Sequence, residues 1–266
     1  MRPTVEPYKF KRGSAPLLVS MPHAGTFIPD EILRRMTQAA RALPDTDWHL
    51  ERLYDFLDAL GASVLIATHS RYVVDLNRPP DNANLYPGQD TTGIVPVDTF
   101  RKEPLYLRAK EPFEAEIHER IRSYWKPYHD KLAAELEALK ARHGYALLWD
   151  AHSIFSELPR FFQGRLTDFN LGTADGTSCA AGVGEALVKA VEGYSAVLNG
   201  RFKGGYITRR YGDPAMGVHA VQLELSEAIY MEEHVPFAFR EDLARQVRPQ
   251  LRSLLEVLLL LAPRQQ

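Results

Sequence analysis

The stretch that decides the fold is Tyr145-Ala-Leu-Leu-Trp-Asp150-Ala-His152-Ser153, in which an apolar run ends abruptly in an acid, a histidine and a hydroxyl. An apolar run of this length is typical of a buried strand. The same plan occurs earlier, in Leu17-Leu-Val-Ser-Met-Pro-His23-Ala-Gly25. Ligands bind at the carboxyl ends of strands in open α/β sheets. Two histidines delivered there therefore predict a metal site or a catalytic acid–base pair.

Short β-type runs alternate with helical patterns along the rest of the chain, and this alternation predicts an α/β fold. Helices are expected at about 47–60, 117–144 and 240–261, where apolar residues recur at three- and four-residue spacing. Pro127 is expected to bend the second helix, because its ring removes an intrahelical hydrogen bond. The candidate strands are 17–20, 63–67, 72–76, 146–149, 196–199 and 220–225.

Two long segments, 77–112 and 155–182, are rich in proline, glycine or short polar residues and fit neither pattern. Loops of this length in a compact domain are usually either functional or disordered. Each follows a strand that delivers polar residues, which favours active-site loops. Because no break in composition and no internal repeat divides the chain, residues 1–266 are predicted to form a single domain.

Composition argues against several kinds of partner and site. A formal net charge of -2 gives no electrostatic reason to expect nucleic acid or an anionic membrane. The lone Cys179 excludes an internal disulfide and a multi-thiolate metal site, and it indicates a reducing, cytoplasmic compartment. No apolar run has the length of a membrane span or the setting of a signal peptide. We therefore expect a soluble protein that acts on a small molecule; its oligomeric state is left open.

Two histidines and an aspartate are candidate metal ligands. His23 stands between Pro22 and Gly25, so a tight turn aims its side chain; the alternative is a histidine that is hydrogen-bonded within a loop. In Asp45-Thr-Asp47-Trp48, either acid could bind a metal or cap the helix that follows. Two histidines and one carboxylate would supply the three protein ligands that are typical of catalytic zinc.

Two further acids lie where they could support that chemistry. Asp150 precedes His152 by two residues, so both side chains share one face of a strand. A carboxylate beside a ligating histidine fixes the tautomer of the ring; otherwise Asp150 is a helix cap or an ion-pair partner. Glu224 lies in a short, largely apolar strand, where burial raises the pKa of an acid and suits it to act as a general base. The alternative for Glu224 is a salt bridge to an arginine.

Two basic stretches predict an anion-binding surface. In Arg71-Tyr-Val-Val-Asp75-Leu-Asn-Arg78, Arg78 could form a bidentate pair with a carboxylate; alternatively, Arg71 and Asp75 simply pair. In Asn199-Gly-Arg-Phe-Lys-Gly-Gly-Tyr-Ile-Thr-Arg209, two adjacent glycines permit close approach of a ligand or form a plain turn. His129, on the second predicted helix, is expected to face solvent.

Taken in order, these blocks resemble the N-formylglutamate amidohydrolase family. No single block is specific, but the ordered set is, and it runs from about residue 8 to residue 231. The matching segments are Ser20-Met-Pro-His23-Ala-Gly25, Asp45-Thr-Asp47-Trp48, Asp75-Leu-Asn-Arg78, Asp150-Ala-His152-Ser153, Gly164-Arg-Leu-Thr-Asp-Phe-Asn-Leu-Gly172, Asn199-Gly-Arg-Phe-Lys-Gly-Gly-Tyr-Ile-Thr-Arg209 and Gln222-Leu-Glu224.

The resemblance implies a mixed β-sheet flanked by helices, similar to that of the zinc carboxypeptidases and the aspartoacylases. It also implies hydrolysis of N-formyl-L-glutamate to L-glutamate and formate, a step of histidine breakdown. One alternative is a related zinc-dependent deacylase or carboxypeptidase that acts on another N-acyl amino acid. A second alternative is a non-catalytic protein that binds an acidic metabolite.

The resemblance further implies a role for each candidate residue. His23, Asp47 and His152 would hold a divalent metal ion, with zinc as the expected ion, although Asp45 and Glu51 compete with Asp47 for the third position. Glu224 would act as the general base on metal-activated water. Because the substrate carries two carboxylates, more than one cation is expected around it. The expected substrate-binding residues are Arg71, Asn77, Arg78, Asn199, Arg201, Tyr206 and Arg209, and the residues expected to support the metal ligands are Asp150 and Ser153.

Overall fold

The computed structural model describes residues 5–85 and 88–261. Within these residues, seven strands form one mixed sheet in the order β1-β3-β2-β4-β7-β5-β6. Its four central strands are parallel, whereas β1 and β5 run antiparallel to the central strands beside them. The strands are β1 (Tyr8–Lys11), β2 (Leu17–Met21), β3 (Ser63–Ala67), β4 (Ala146–Ile154), β5 (Phe169–Gly172), β6 (Ala196–Leu198) and β7 (Val218–Ser226).

Helices cover both faces of this sheet. The two long ones are α5 (Lys126–His143) and α8 (Glu241–Leu261). None of the helices in the described ranges is long and apolar enough to cross a membrane. The shorter helices are α1 (Asp30–Leu33), α2 (Gln38–Arg41), α3 (Leu50–Leu53), α4 (Glu114–Arg120), α6 (Val183–Lys189) and α7 (Tyr206–Tyr211). The predicted α/β class, with a mixed sheet flanked by helices, is confirmed. The domain limits 1–266 stay a prediction, since 1–4, 86–87 and 262–266 lie outside the described residues.

Strand β4 separates the two main hydrophobic cores. Leu147 and Trp149 pack in the core that contains α8, whereas Leu148 packs in the core that contains α5. Side chains alternate between the faces of a strand. The face that carries Leu148 therefore continues into Asp150 and His152 as the strand approaches its carboxyl end, and all nine residues of β4 are buried. The shared face predicted for this acid and this histidine is confirmed.

The predicted strand at 72–76 is wrong. Its apolar residues are buried, but the backbone of the 72–78 segment follows turns. Side chains and loop backbone satisfy its polar groups in place of a ladder: Val73 N donates to Ser70 O at 2.8 Å, and Asp75 N donates to Ile94 O at 2.7 Å. A buried apolar run can therefore imitate a strand when tertiary contacts satisfy its hydrogen bonds.

The first predicted helix, at 47–60, is also wrong over most of its length. Only α3 is α-helical there; His49 before it has a φ of 63°, and Tyr54 after it departs from helical geometry. The helix at 240–261 is confirmed as α8. The helix at 117–144 is present as α4, a π-helical turn (Ile121–Trp125) and α5. Pro127 lies in the first turn of α5, where a missing backbone N–H is well tolerated.

The sequence analysis did not predict strands β1 and β5, because each has only four residues. Strand β1 is an edge strand of four residues, and β5 interrupts the segment 155–182, which was expected to be irregular. The other irregular segment, 77–112, contains neither helix nor strand among its described residues; 86 and 87 fall outside them.

Candidate metal centre and active site

Three buried side chains from distant parts of the chain meet beyond the carboxyl end of the central strands. His23 follows β2, His152 lies near the end of β4, and Asp47 comes from the loop before α3. Asp47 N donates to the His23 carbonyl oxygen at 3.1 Å, which holds the two loops together. Asp47 Oδ2 lies 3.8 Å from His23 Nδ1 and 3.0 Å from His152 Nδ1. One ligand atom from each residue lies within 4.8 Å of the others, so the three could hold a metal ion.

The hydrogen bonds of His23 indicate which nitrogen of its ring is free. His23 Nε2 lies 2.8 Å from Asp75 Oδ1, and Asp75 Oδ2 accepts from Arg71 Nη2 at 2.7 Å. Burial raises the pKa of Asp75, but His23 and Arg71 outweigh it and hold this pKa well below its usual value. An ionised carboxylate only accepts, so Nε2 carries the hydrogen. The lone pair of Nδ1 then points towards Asp47, and burial lowers the pKa of His23, which keeps the ring neutral.

His152 is held in the same way by a different acid. Its Nε2 lies 3.0 Å from Asp150 Oδ2, and Asp150 Oδ1 accepts from Ser20 Oγ at 3.2 Å. Nε2 therefore carries a hydrogen, and Nδ1 is the ring nitrogen that faces Asp47. The amide Nδ2 of Asn77 lies 3.0 Å from the same Nε2. Two N–H donors cannot bond each other, so this amide donates to Gln222 Oε1, 3.5 Å away.

The resulting donor set fits a divalent cation. Nδ1 of each imidazole points towards one carboxylate, and Asp47 Oδ1 is buried without a hydrogen-bond partner among the described residues. Burial lowers the pKa of His152, but the Asp150 and Asp47 carboxylates outweigh it, so this pKa lies well above its usual value. The position thus attracts positive charge. Two histidines and a carboxylate form a common zinc-binding set.

The competing ligands and the capping alternative do not fit the geometry. Asp45 Oδ2 accepts from Phe100 N at 2.8 Å, and burial raises the pKa of Asp45 to about 6. Glu51 is exposed and pairs with Lys9 at 3.0 Å. The residue at the N-cap of α3 is His49, so neither aspartate caps that helix. The metal-ligand group found among the described residues contains Asp47 and neither competitor.

Glu224 lies beside this group. It is buried in β7, opposite His152 in the parallel register of β4 and β7. Burial raises the pKa of Glu224 to about 8; His152 opposes this shift and Asp47 adds to it. Within the described residues no salt bridge joins Glu224 to an arginine, so the ion-pair alternative is not what the structure contains.

An open cavity lies over the two candidate histidine ligands, His23 and His152, and over Glu224. Among the predicted substrate-binding residues, four line this cavity: Arg71, Asn77, Arg78 and Arg201. The cavity wall also has an apolar part, formed by Phe100, Ile154, Phe161 and Phe202. A charged and partly apolar pocket of this kind suits a small anionic molecule.

The three arginines of the cavity have different settings. Arg71 is buried, pairs with Asp75, and lies 4.6 Å from the Phe100 ring centroid, so the Arg71–Asp75 pair anticipated from the sequence is present. Arg201 Nε donates to the carbonyl oxygen of Phe161 at 2.6 Å. Arg78 Nε is buried and has no hydrogen-bond partner in residues 5–85 and 88–261. Of the three, Arg78 is the one whose donors are most available to a ligand.

Asn199, Tyr206 and Arg209 are not among the residues that line the cavity. The Asn199 side chain accepts from Thr173 N at 2.8 Å, and Arg209 Nε donates to Gly204 O at 2.8 Å. Tyr206 begins α7 and packs its ring 5.7 Å from that of Trp125. The side chains of Asn199 and Arg209 thus hold the backbone near the cavity, whereas that of Tyr206 packs against an aromatic ring.

Ser153 points away from the metal-ligand group. Its Oγ donates to Glu227 Oε1 at 3.4 Å and accepts from Tyr230 OH at 2.8 Å. Burial raises the pKa of Glu227 well above its usual value, and Asp47 adds to the shift. Asp150, by contrast, orients His152 directly.

Sequence reasoning missed three contributors to the site. Asp75 was read only as a partner of Arg71, although it also orients His23. Gln222 Oε1 accepts from Gly205 N at 2.7 Å and so joins β7 to the loop before α7. Glu227 had no sequence signal beyond an acid after an apolar strand. The two-residue spacing of the polar residues in Gln222-Leu-Glu224 could have indicated that both side chains share one face.

Comparison with known proteins decides the family. Residues 15–231 match the model of the N-formylglutamate amidohydrolase family. The chain belongs to this family. It is 54% identical over 257 residues to the N-formylglutamate deformylase of Pseudomonas aeruginosa, covering 96% of each chain. It is 52% identical over 253 residues to the enzyme of the same name from Pseudomonas putida, covering 94% of each.

A solved structure supports both the family and the fold. The crystal structure of N-formylglutamate amidohydrolase from Ralstonia eutropha JMP134 superposes with a TM-score of 0.81 at 26% identity, and 97% of each chain is covered. The family resemblance seen in the ordered sequence blocks is thereby confirmed. The matched range contains His23, Asp47, His152 and Glu224.

Proposed function

We propose that the protein hydrolyses N-formyl-L-glutamate to L-glutamate and formate. The observation that carries this proposal is that His23 and His152, which meet Asp47, line one arginine-containing cavity together with Glu224. Membership of the N-formylglutamate amidohydrolase family and the names of the two Pseudomonas relatives support it. The same substrate would connect the protein to histidine breakdown in the cytoplasm.

We infer that His23, Asp47 and His152 hold a divalent ion, with zinc as the expected ion. Such an ion supplies Lewis acidity, which polarises the formyl carbonyl and makes water a better nucleophile near neutral pH. Asp75 and Asp150 occupy Nε2 of the two rings, so Nδ1 of each ring is the nitrogen that would bind the ion. The likeness to the zinc carboxypeptidases and the aspartoacylases belongs to this proposal, and it rests on the same pattern of two imidazoles and an acid.

Glu224 would act as the base, because the positive charge of a bound ion would lower its pKa and favour the ionised carboxylate. It lines the cavity beside His152, and its carboxylate is not taken up by an arginine. It accepts a proton from the attacking water and delivers it to the amine as the C–N bond of the formamide breaks. One water molecule is consumed, the formyl carbon leaves as formate, and the nitrogen leaves as the amino group of glutamate.

The arginines would recognise the two carboxylates of the substrate. Arg78 and Arg201 line the cavity, and each charge-assisted hydrogen bond to a carboxylate contributes about 1.5–3 kcal/mol. Arg71 is already paired with Asp75, so its larger part is to hold that acid against His23. We propose that Asn199, Tyr206 and Arg209 assist substrate binding by fixing the backbone of the cavity wall rather than by touching the substrate.

A formate-release assay tests this function. We expect rapid release from N-formyl-L-glutamate, slow release from N-formyl-L-alanine, and little hydrolysis of N-acetyl-L-glutamate. A chelator should abolish release, and added zinc should restore it. Equal rates on the formyl and acetyl substrates would favour a broader deacylase, and binding of glutamate without any release would indicate a binding protein.

A further inference from the structure

The 72–78 segment contributes three side chains to the site although its backbone has no regular structure. Asp75 orients His23, Asn77 lies beside His152, and Arg78 lines the cavity. A buried irregular segment needs partners for its carbonyl groups, and these partners determine where its side chains point. The groups that hold the segment are therefore part of how the cavity is built.

Two ring N–H groups on the neighbouring helix bond the carbonyl oxygens next to these side chains. Trp125 Nε1 donates to Arg78 O at 3.0 Å, and His129 Nε2 lies 2.8 Å from Leu76 O. The two rings stack on each other with centroids 3.8 Å apart. The carbonyl groups of Leu76 and Arg78 are thus held by rigid aromatic rings rather than by flexible side chains.

The tautomer of His129 follows from its partners. A carbonyl oxygen only accepts, so Nε2 carries the hydrogen and Nδ1 accepts from Tyr211 OH at 2.9 Å. His129 is buried, contrary to the solvent exposure expected from sequence. Burial lowers the pKa of His129 to about 4, so the ring is neutral at pH 7. The neutral ring thus keeps Nδ1 as the acceptor for Tyr211 OH while Nε2 donates to Leu76 O.

The π-helical turn explains how one helix reaches the whole segment. Arg120 Nη1 donates to the carbonyl oxygens of Tyr72 and Val73, at 3.4 and 3.2 Å. Arg120 and Trp125 are five residues apart, which in a regular α-helix would leave them ~140° apart around the axis. In the π turn, Lys126 N donates to Ile121 O, five residues back. The residue inserted by the π turn brings the side chains of Arg120 and Trp125 to the same side of the helix, where both contact the 72–78 segment.

We propose that Trp125 and His129, aligned with Arg120 by the π-helical turn, are positioning residues that set where Arg78 presents its guanidinium to a substrate carboxylate. The inference rests on the proposed function, because a carboxylate ligand of Arg78 is part of it. It adds residues that lie outside the cavity lining and act through the backbone of the 72–78 segment.

A double-mutant cycle tests whether Trp125 acts through Arg78. Trp125→Phe keeps a ring but removes the donor, so KM for N-formyl-L-glutamate should rise roughly fivefold while kcat changes less than twofold. In an Arg78→Ala background, Trp125→Phe should cause no further rise. Additive effects in the double variant would overturn the inference, because a merely structural residue acts independently of Arg78.

Paired substitutions at His129 separate the hydrogen bond from packing. His129→Gln keeps an N–H donor and should retain a KM near that of the wild type, whereas His129→Leu should raise it as Trp125→Phe does. The control is Gln250→Met, which removes a buried donor to Ala190 O in another part of the fold. It should lower the melting temperature without changing KM. An equal rise of KM in the control would also overturn the inference.

Calorimetric binding of L-glutamate keeps this test distinct from that of the proposed function. A wild type that binds L-glutamate but releases no formate would contradict the function, and the same cycle would then be measured in Kd. Non-additive loss of glutamate affinity would still support the positioning role. If Arg78→Ala left the affinity for L-glutamate unchanged, the positioning role would be overturned.

Discussion

Each of the two candidate histidine ligands has a supporting acid, and the two acids come from different kinds of structure: the centre of the sheet and the 72–78 segment. In β4, the regular alternation of a strand places Asp150 beside His152. In the 72–78 segment, turns bring Asp75 to His23, and side chains from a helix hold the backbone. The same contact between carboxylate and imidazole thus arises once from secondary structure and once from tertiary contacts. Only the first kind can be read from residue spacing.

The largest effect on activity is expected in β7, a strand at the centre of the sheet. Glu224→Gln should lower kcat by about 10²–10⁴, because it removes the proposed base while the metal ligands remain. Metal content should be unchanged. The matched control is Glu135→Gln, which alters a fully buried acid held by Arg12 and Ser63 far from the cavity. Glu135→Gln should lower the stability of the protein without changing kcat. A normal kcat in Glu224→Gln would show that Glu224 is not the base.

The two supporting acids provide the most direct contrast between the two regions. Asp75→Asn and Asp150→Asn should each weaken metal binding by about 10–100-fold, because each acid orients one ligand. Asp75 also pairs with Arg71 and accepts from Asn77 N at 2.9 Å. Asp75→Asn should therefore also raise KM and lower the melting temperature more than Asp150→Asn does. Identical profiles for the two variants would argue against a segment held by side chains.

Substrate recognition should depend on the cavity arginines unequally. Arg78→Lys loses the planar fork that pairs with a carboxylate and should raise KM about tenfold. Arg209→Lys, in a residue outside the cavity lining, should change KM less than twofold. Steady-state kinetics on both variants measure this difference. A larger effect at position 209 would mean that this arginine reaches the substrate.

The smallest effect is expected on the free energy of unfolding at low pH, and it comes from His129, which holds the 72–78 segment. In the unfolded chain His129 has a pKa of 6.5, whereas in the folded chain its pKa is about 4. Between these two pH values the unfolded chain binds a proton at His129 and the folded chain does not. The free energy of unfolding should therefore decrease as pH falls through this window, by about 1 kcal/mol from this residue between pH 7 and pH 5.5. Denaturation of His129→Gln should show a shallower pH dependence than the wild type. An unchanged slope would show that His129 takes up a proton when folded.

The sequence predicted the parts of the fold that depend on local periodicity. The strands that begin at Leu17, Ser63 and Ala146, and the long helix α8, follow from apolar spacing and were found as expected. The 72–78 segment was mistaken for a strand, because its apolar residues are buried by tertiary contacts that spacing cannot express. The predicted helix at 47–60 is wrong for the same reason, because helix-like apolar spacing continues through the turns that follow α3.

The candidate ligands could be named from sequence, but their surroundings could not. His23 and His152 stand out because each ends an apolar strand with a polar residue. The choice of Asp47 over Asp45 depends on the path of a loop that contacts His23. The link from His129 to Leu76 spans more than fifty residues and crosses from a helix to a loop, so no local pattern indicates it.

Metal analysis of purified variants tests the central claim, that two imidazoles and one carboxylate share a single divalent ion. The account predicts one zinc ion per chain in the wild type and in Glu51→Ala, whose exposed acid lies outside the group. It predicts far less than one in His152→Ala and Asp47→Ala, with loss of formate release in both. Full metal content and full activity in His152→Ala would contradict it.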